Sequence, residues 1–345
     1  MSLKIVVTRR IPDPGLRILR DSGASVLILQ NNPRAPVDRA ALMSAVADAD
    51  VLVALLTERI DDALLARAKR LRGVANFAVG YNNIDVDAAT RLGIPVANTP
   101  GVLTETTADL TWALLLAIAR RIPEAHNYMV RGEYQMWGPE LFLGEDVGRG
   151  PDGEHRTLGI IGFGRIGQAV ARRARGFDMR VVAFDPNMRD AIAASHDAEW
   201  SEFDDLLRQS DFVSLHALLT DETRHLIGER ELRLMKQRAY LINVARGEMI
   251  DERVLVRALQ EDWIAGAALD VYEREPAMAQ GLAECRNAVF VPHIGSATHS
   301  TRNRMATMAA TNAVAHLNVQ QAPNPVNHAV YDSAAYRERI GRLAV

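Results

Sequence analysis

The chain has a single cysteine, Cys285, among its 345 residues, so it cannot form an internal disulfide. A reducing compartment is therefore expected, and the cytoplasm is the expected location. An excess of one charge sign is also missing. The formal net charge of −3 gives no electrostatic reason to expect a nucleic acid or an anionic membrane as a partner. Long apolar runs are absent too. The longest nearly uncharged one, around residues 110–119, falls far short of the roughly 20 residues that a membrane span needs. The opening MSLKIVVTRR reads as a strand, not as a charged segment followed by a long apolar one, so no secretory leader is expected. There is no repeat of fixed period and no low-complexity segment. What is present, 48% apolar and 24% charged residues, is the composition of a globular protein. At about 150 residues per domain, the length predicts two domains.

The first hundred residues alternate short β-branched runs with helical stretches. Strands are expected at 4–8, 25–29, 51–54, 73–77 and 95–97, and helices at 14–21, 38–47, 61–68 and 86–92. Such a rhythm of short apolar strands predicts a parallel sheet covered on both faces. A long helix follows over 106–121 and resumes through 130, with Thr104, Glu105 and Asp109 suited to its N-terminus. The Gly-, Pro- and Trp-rich stretch 132–153 ends in GRGPDGEHR, a polar surface loop expected to be mobile. The alternation restarts at 158, with strands at 158–162, 180–184, 212–215, 239–243, 264–269 and 289–291. Six strands in βα alternation make a complete dinucleotide-binding fold. A last helix over 302–318 leads into a Pro/Asn-rich tail that can return to the first domain.

Within that second half lies Gly162-x-Gly164-x-x-Gly167, between an apolar strand and a helix over 165–175. In such a loop Gly162 makes the tight turn and Gly164 lets the backbone approach a pyrophosphate. Gly167 allows the helix to pack on the strand. The helix N-terminus supplies amides and partial positive charge for phosphates. Asp185 lies 18 residues past Gly167, close to the spacing of an acid that accepts from a ribose 2′-hydroxyl and repels a 2′-phosphate. NAD is therefore expected over NADP. Arg189 is the residue that could host a 2′-phosphate, and it is read instead as solvated. The alternative to the whole reading is a glycine-tight βα turn without a ligand.

Ligands of open α/β sheets bind beyond the carboxyl ends of the strands. The residues just past those ends form an unbroken polar run: the Gly162 loop, Asp185, His216, Arg246 in NVARG, Asp270, and His293 in PHIGSA. One shared site is implied. Arg246 offers a planar fork for a carboxylate, and His293 can exchange a proton near neutral pH. Glu275, in DVYEREP, can orient that imidazole and stabilise its cation, and Asp270 can accept from a carboxamide. Glu273 is the alternative acid, and Glu275 is preferred because Pro276 follows it. His216 is read as a loop-shaping group. His126, His155, His196, His225, His299, His316 and His328 are read as surface or core residues, and no metal is expected.

With these residues in place, the chain resembles the D-isomer-specific 2-hydroxyacid dehydrogenase family over almost its full length. The stretches that carry the resemblance are AVGYNNIDVDAATRLGIPVANTPGV, LGIIGFGRIGQ, MKQRAYLINVARGEMID, AGAALDVYEREP and VPHIGSAT. The resemblance implies that Arg246, Glu275 and His293 are catalytic and that Val79 and Gly80 clamp the substrate carboxylate by their backbone. It implies cofactor contacts at Arg165, Ile166, Asp185, Ala217, Val244, Ala245, Asp270, His293 and Gly295, beside Gly162, Gly164 and Gly167. The segment WGPELFLGEDV is similar to that of glyoxylate/hydroxypyruvate reductases, with Leu141 where their second Trp stands. Leu218 likewise replaces a proline of the family's H-x-P-L-T loop, and the loop at 148–156 is longer than usual.

The implied fold is α/β, with two doubly wound parallel-sheet domains. A flavodoxin-like substrate domain (1–103 and 299–345) carries an inserted Rossmann NAD-binding domain (104–298). The implied activity is NAD(H)-dependent interconversion of a small 2-keto acid, glyoxylate- or hydroxypyruvate-like, and its (R)-2-hydroxy acid. A homodimer through the cofactor domain is also implied, and the apolar face at 110–119 suits such an interface. A rival reading from another class is an NAD-sensing binding protein of the same fold, similar to C-terminal-binding transcriptional corepressors. A formate dehydrogenase is disfavoured, since that enzyme pairs its histidine with Gln where Glu275 stands.

Overall fold

The computed structural model describes residues 3–32 and 35–343. Residues 1, 2, 33, 34, 344 and 345, among them the ends of the expected substrate domain, lie outside the described residues. The chain divides into two compact units. A split unit takes Met1–Leu103 and Ala297–Val345, and an inserted unit takes Thr104–Ser296.

The split unit opens with β1 (Lys4–Arg9), α1 (Asp13–Asp21), β2 (Ser25–Gln30), α2 (Arg39–Val46) and β3 (Val51–Ala54). It continues with α3 (Asp62–Arg67), β4 (Gly73–Asn76), α4 (Val86–Arg91) and β5 (Val96–Ala97). All five strands are parallel, in the flavodoxin-like order β2-β1-β3-β4-β5. β3 is buried along its whole length, so VLVA needs no polar alternation. Three helices start at aspartates: Asp38, Asp61 and Asp85 accept the amides of Ala41, Leu64 and Ala88. Each such cap is worth about 1 kcal/mol.

The inserted unit runs through α5 (Thr104–Ala119), α6 (Ile122–Val130), β6 (Thr157–Ile161), α7 (Arg165–Ala174) and β7 (Arg180–Phe184). Then come α8 (Arg189–Ala193), β8 (Glu199–Trp200), α9 (Phe203–Gln209), β9 (Phe212–Leu215) and α10 (Glu229–Leu234). It ends with β10 (Tyr240–Asn243), α11 (Glu252–Gln260), β11 (Gly266–Leu269) and β12 (Ala288–Phe290). The sheet is parallel throughout, in the order β12-β11-β10-β9-β6-β7-β8. The strand order reverses between β6 and β9, and a doubly wound sheet binds its ligand at such a point. Two apolar clusters fill the faces of this sheet, one around Leu241 and Leu269, the other around Ile160 and Ile242.

The chain returns to the split unit with α12 (His299–Leu317) and α13 (Ala334–Leu343). α12 packs on α1, β3 and β4, and Gly15 permits the approach. A Cβ there would lie 2.5 Å from the Ala306 carbonyl oxygen.

The structure corrects several expectations. The cofactor sheet has seven strands, not six. The extra one, β8, is a two-residue edge strand paired through Val182 with Glu199 and Ala183 with Trp200, too short to carry an apolar pattern. The helix expected at 302–318 begins at His299, because the Thr298 side chain caps it by accepting the Thr301 amide, and it is not the last, since α13 follows. Glu105 and Asp109 do not serve only a helix terminus. Glu105 pairs with Arg172 and Arg173, and Asp109 with Arg173, pinning α5 to α7. Of the face at 110–119, Thr111, Trp112, Leu114, Leu115, Ile118 and Ala119 are buried inside their own unit, while Leu110, Leu116 and Ala117 are half-buried and Ala113 is exposed. The polar loop folds as a closed turn. Arg149 bridges to His155, the Gly150 amide donates to the Glu154 carbonyl, and Arg156 pairs with Asp152.

Candidate active site

β6 delivers the chain into the glycine loop. Gly162 sits at φ +92°, and a Cβ there would lie 2.4 Å from the Ala217 amide nitrogen. At Gly167 a Cβ would meet the Gly162 carbonyl oxygen at 2.2 Å, so α7 packs on β6 only without a side chain. Gly164 differs from both, because nothing lies within 4 Å of the Cβ it lacks. It caps α7 with no side-chain acceptor, leaving the first-turn amides of that helix to an anion. Gly164 and Arg165 are exposed and Ile166 half-buried around this space. Asp185, at the end of β7, accepts from the Phe163 amide at 2.9 Å and the Asn187 amide at 3.0 Å, so it also ties the glycine loop to its own strand. The residues present fit a dinucleotide. Arg189 is exposed, as expected, and its guanidinium stacks over the Trp200 ring at 4.0 Å from the centroid.

His216 follows β9. Its Nε2 lies 2.9 Å from Ser214 Oγ, and burial pushes its pKa down to about 3. It is neutral at physiological pH and shapes the loop that meets Gly162.

At the end of β10, Asn243 is fully buried and organises the exit turn. Its side-chain oxygen accepts the Ala245 amide at 3.0 Å, and its Nδ2 donates to the Arg246 carbonyl at 2.8 Å. Val244 is buried beside it, and Arg246 Nη1 donates to the Ala245 carbonyl at 2.6 Å. Burial draws the Arg246 guanidinium below its usual value, opposed by the charges of Glu248 and Glu275. Gly247 brings this turn against the next one: a Cβ there would lie 1.9 Å from the Tyr272 carbonyl carbon.

β11 ends in Asp270, 1% exposed, whose oxygens accept the amides of Ile294 at 2.6 Å and Gly295 at 2.8 Å. Its carbonyl accepts the His293 amide at 2.9 Å. These bonds hold His293 at φ +53°, a left-handed conformation unusual for a side-chain-bearing residue. Asp270, expected only to meet a carboxamide, thus builds the turn that presents the histidine. His293 Nδ1 lies 2.9 Å from Glu275 Oε2 and 3.1 Å from Oε1. That leaves Nε2 as the outward nitrogen. Burial pushes the Glu275 carboxyl up, but the His293 hydrogen bond and charge, the Tyr272 amide and Arg246 together bring it below the usual range. Glu273 faces elsewhere, 3.2 Å from His225 Nε2. Arg246, Glu275 and His293 therefore gather on one edge of one sheet.

In the split unit, Val79 and Gly80 follow β4. The Val79 carbonyl accepts from Asn98 Nδ2 at 2.7 Å and the Gly80 carbonyl from Asn76 Nδ2 at 2.8 Å. Both carbonyls are occupied by side chains, while the two amides make no hydrogen bond with any described residue. Asn76, Asn98 and Asn243 were not anticipated from sequence. The available signal was an asparagine at or just past a strand's last residue.

Residues 112–295 match the family model described as D-isomer specific 2-hydroxyacid dehydrogenase, NAD binding domain. The chain is 45% identical over 338 residues to a glyoxylate reductase of Thermococcus litoralis, covering 97% of this chain and 99% of that one. A crystal structure of a Thermus thermophilus protein is similar with a TM-score of 0.85 and 42% identity, over 94% of this chain and all of that one. An NADPH-dependent glyoxylate/hydroxypyruvate reductase of Sinorhizobium meliloti, solved with NADP and malonate, is similar with a TM-score of 0.81 and 29% identity. That match covers 95% of this chain and 98% of that one.

Proposed function

The chain belongs to the D-isomer specific 2-hydroxyacid dehydrogenases, and from that premise we propose that it reduces a small 2-keto acid of the glyoxylate or hydroxypyruvate kind. The product is the (R)-2-hydroxy acid. The observation that carries the reading is the 2.9 Å pair of His293 and Glu275 on the sheet edge that also bears Arg246 and the glycine loop. The Gly162–Gly167 loop, Asp185, Ala217, Val244, Ala245, Asp270 and Gly295 would hold NADH, which would supply the hydride when bound. Arg246 grips the substrate carboxylate through its planar fork. In the split unit, the amides of Val79 and Gly80 are donors suited to a carboxylate. His293 delivers a proton from Nε2 to the oxygen that becomes the hydroxyl. Glu275, ionised beside His293 Nδ1, stabilises the imidazolium and fixes which nitrogen faces the substrate.

Asp185 favours NADH over NADPH, because a carboxylate there accepts from a 2′-hydroxyl and repels a 2′-phosphate. The enzyme works in the cytoplasm as a homodimer through the inserted unit. Supporting this are exposed apolar side chains concentrated at Ile122, Met129, Val130, Met136, Trp137 and Leu143.

The test is NADH and NADPH oxidation with a panel of 2-keto acids. Turnover of glyoxylate or hydroxypyruvate with NADH, at least about tenfold faster than with NADPH, is expected. NADH binding without turnover of any keto acid would instead mark a nucleotide-sensing binding protein.

A further inference from the structure

Glu252 is the first residue of α11, where an acid reads as a favourable charge at a helix N-terminus. The helix does not need it for that purpose, because Asp251 already caps α11 by accepting the amides of Arg253 and Val254. The Glu252 side chain turns inward and is 3% exposed. One carboxylate oxygen accepts the Glu273 amide at 2.7 Å, the other the Ala279 amide at 3.0 Å. These two amides stand on either side of the turn that carries Glu275, closed by the Ala277 amide donating to the Arg274 carbonyl at 2.8 Å. Among the described residues no cation pairs with Glu252. The ionisable groups that face it are Glu273, Glu275 and Tyr272, all from the loop it grips.

We propose that Glu252 is a positioning residue, a two-point clamp whose carboxylate holds both stems of the acid turn so that Glu275 meets His293. The proposal rests on the reading of His293 and Glu275 as the proton-handling pair. A carboxylate suits the task because it accepts at both oxygens. A buried group that merely filled space would be apolar, since burial pushes this carboxyl above its usual range and the negative neighbours push the same way. The two amides oppose that push.

The experiment compares Glu252→Gln with Glu275→Gln and the wild type. Glutamine keeps the shape, but its amide nitrogen would face one of the two N–H donors. One stem is then released and Glu275 is misplaced. The kcat for keto-acid reduction should fall about ten- to a hundredfold, with NADH affinity unchanged within about twofold. The alkaline limb of the reductive pH profile should move to lower pH in both variants, by about half a unit or more. A purely structural role would lower the melting temperature and leave the limb in place, which overturns the clamp. If Glu275→Gln itself leaves the limb unmoved, the pair falls and the clamp falls with it. Should Glu252→Gln fail to fold, NMR hydrogen exchange on the wild type decides. The Glu273 and Ala279 amides should both be protected, and free exchange of either overturns the proposal.

Discussion

Both units close their parallel strands with loops on the carboxyl edge, yet they present different parts of the chain there. The inserted unit presents side chains: Asp185, Arg246, Glu275 and His293 all stand at or just past strand ends. The split unit presents backbone, with the Val79 and Gly80 carbonyls taken up by Asn98 and Asn76 and the amides left over. Under the proposed function, the difference follows from what each task demands. Moving a proton and orienting a carboxylate need groups with a tuned charge, and these occur only on side chains. Receiving an anion needs only well-held amides. The same fold class thus builds two kinds of edge, and Asn76 and Asn98 tie down loop carbonyls in one sheet as Asp270 ties down loop amides in the other.

Mutations can break this division or sharpen it. His293→Asn removes the proton donor, so kcat should fall by about 10²- to 10⁴-fold while NADH binds as before, measured by steady-state kinetics and fluorescence titration. A loss of NADH affinity instead would make His293 a structural part of the cofactor site.

Arg246→Lys keeps the charge but not the fork. A loss in kcat/KM of at least about tenfold, roughly 1.4 kcal/mol, is expected for the best keto acid. A smaller loss would mean that a point charge suffices.

Asp185→Ala should narrow the preference for NADH over NADPH by about tenfold, read from the ratio of their dissociation constants. Because Asp185 also accepts the Phe163 amide, some affinity for both cofactors should be lost together.

Asn98→Ala probes the backbone edge. It frees the Val79 carbonyl and loosens the loop, so KM for the keto acid should rise about threefold to tenfold with kcat nearly constant. A fall in kcat as large as that of Arg246→Lys would erase the distinction between the two edges.

Much of this was legible in the sequence because the relevant physics is local. The glycine loop declares itself by spacing, and β3, β6 and β9 by short apolar runs. Arg246 and His293 stand out as polar residues straight after such runs. What escaped depends on partners distant in the chain. β8 holds two residues, and only the register with β7 makes them a strand. Glu252 looks like any acid at a helix start until the turn at 273–279 folds onto it. Asp270 looks like a cofactor contact, and its engagement with the Ile294 and Gly295 amides appears only once two loops meet. At 110–119 the apolar character is visible in sequence, while the burial of Trp112 and Leu115 inside their own unit is not. Arg189 is solvated as expected, but nothing in sequence places it on Trp200.

The central claim is that the proton comes from a histidine whose cation is sustained by Glu275. It is tested most directly by single-turnover hydride transfer, followed by loss of NADH absorbance from about pH 5 to about pH 9. Wild type and Glu275→Gln are compared with the same keto acid at saturating NADH. The wild-type rate should be flat at low pH and decline as pH rises, because transfer needs the protonated imidazole. In Glu275→Gln the decline should begin at lower pH, with NADH affinity unchanged. Superimposable profiles would contradict the account, since they would mean that the carboxylate 2.9 Å from His293 has no part in holding its proton.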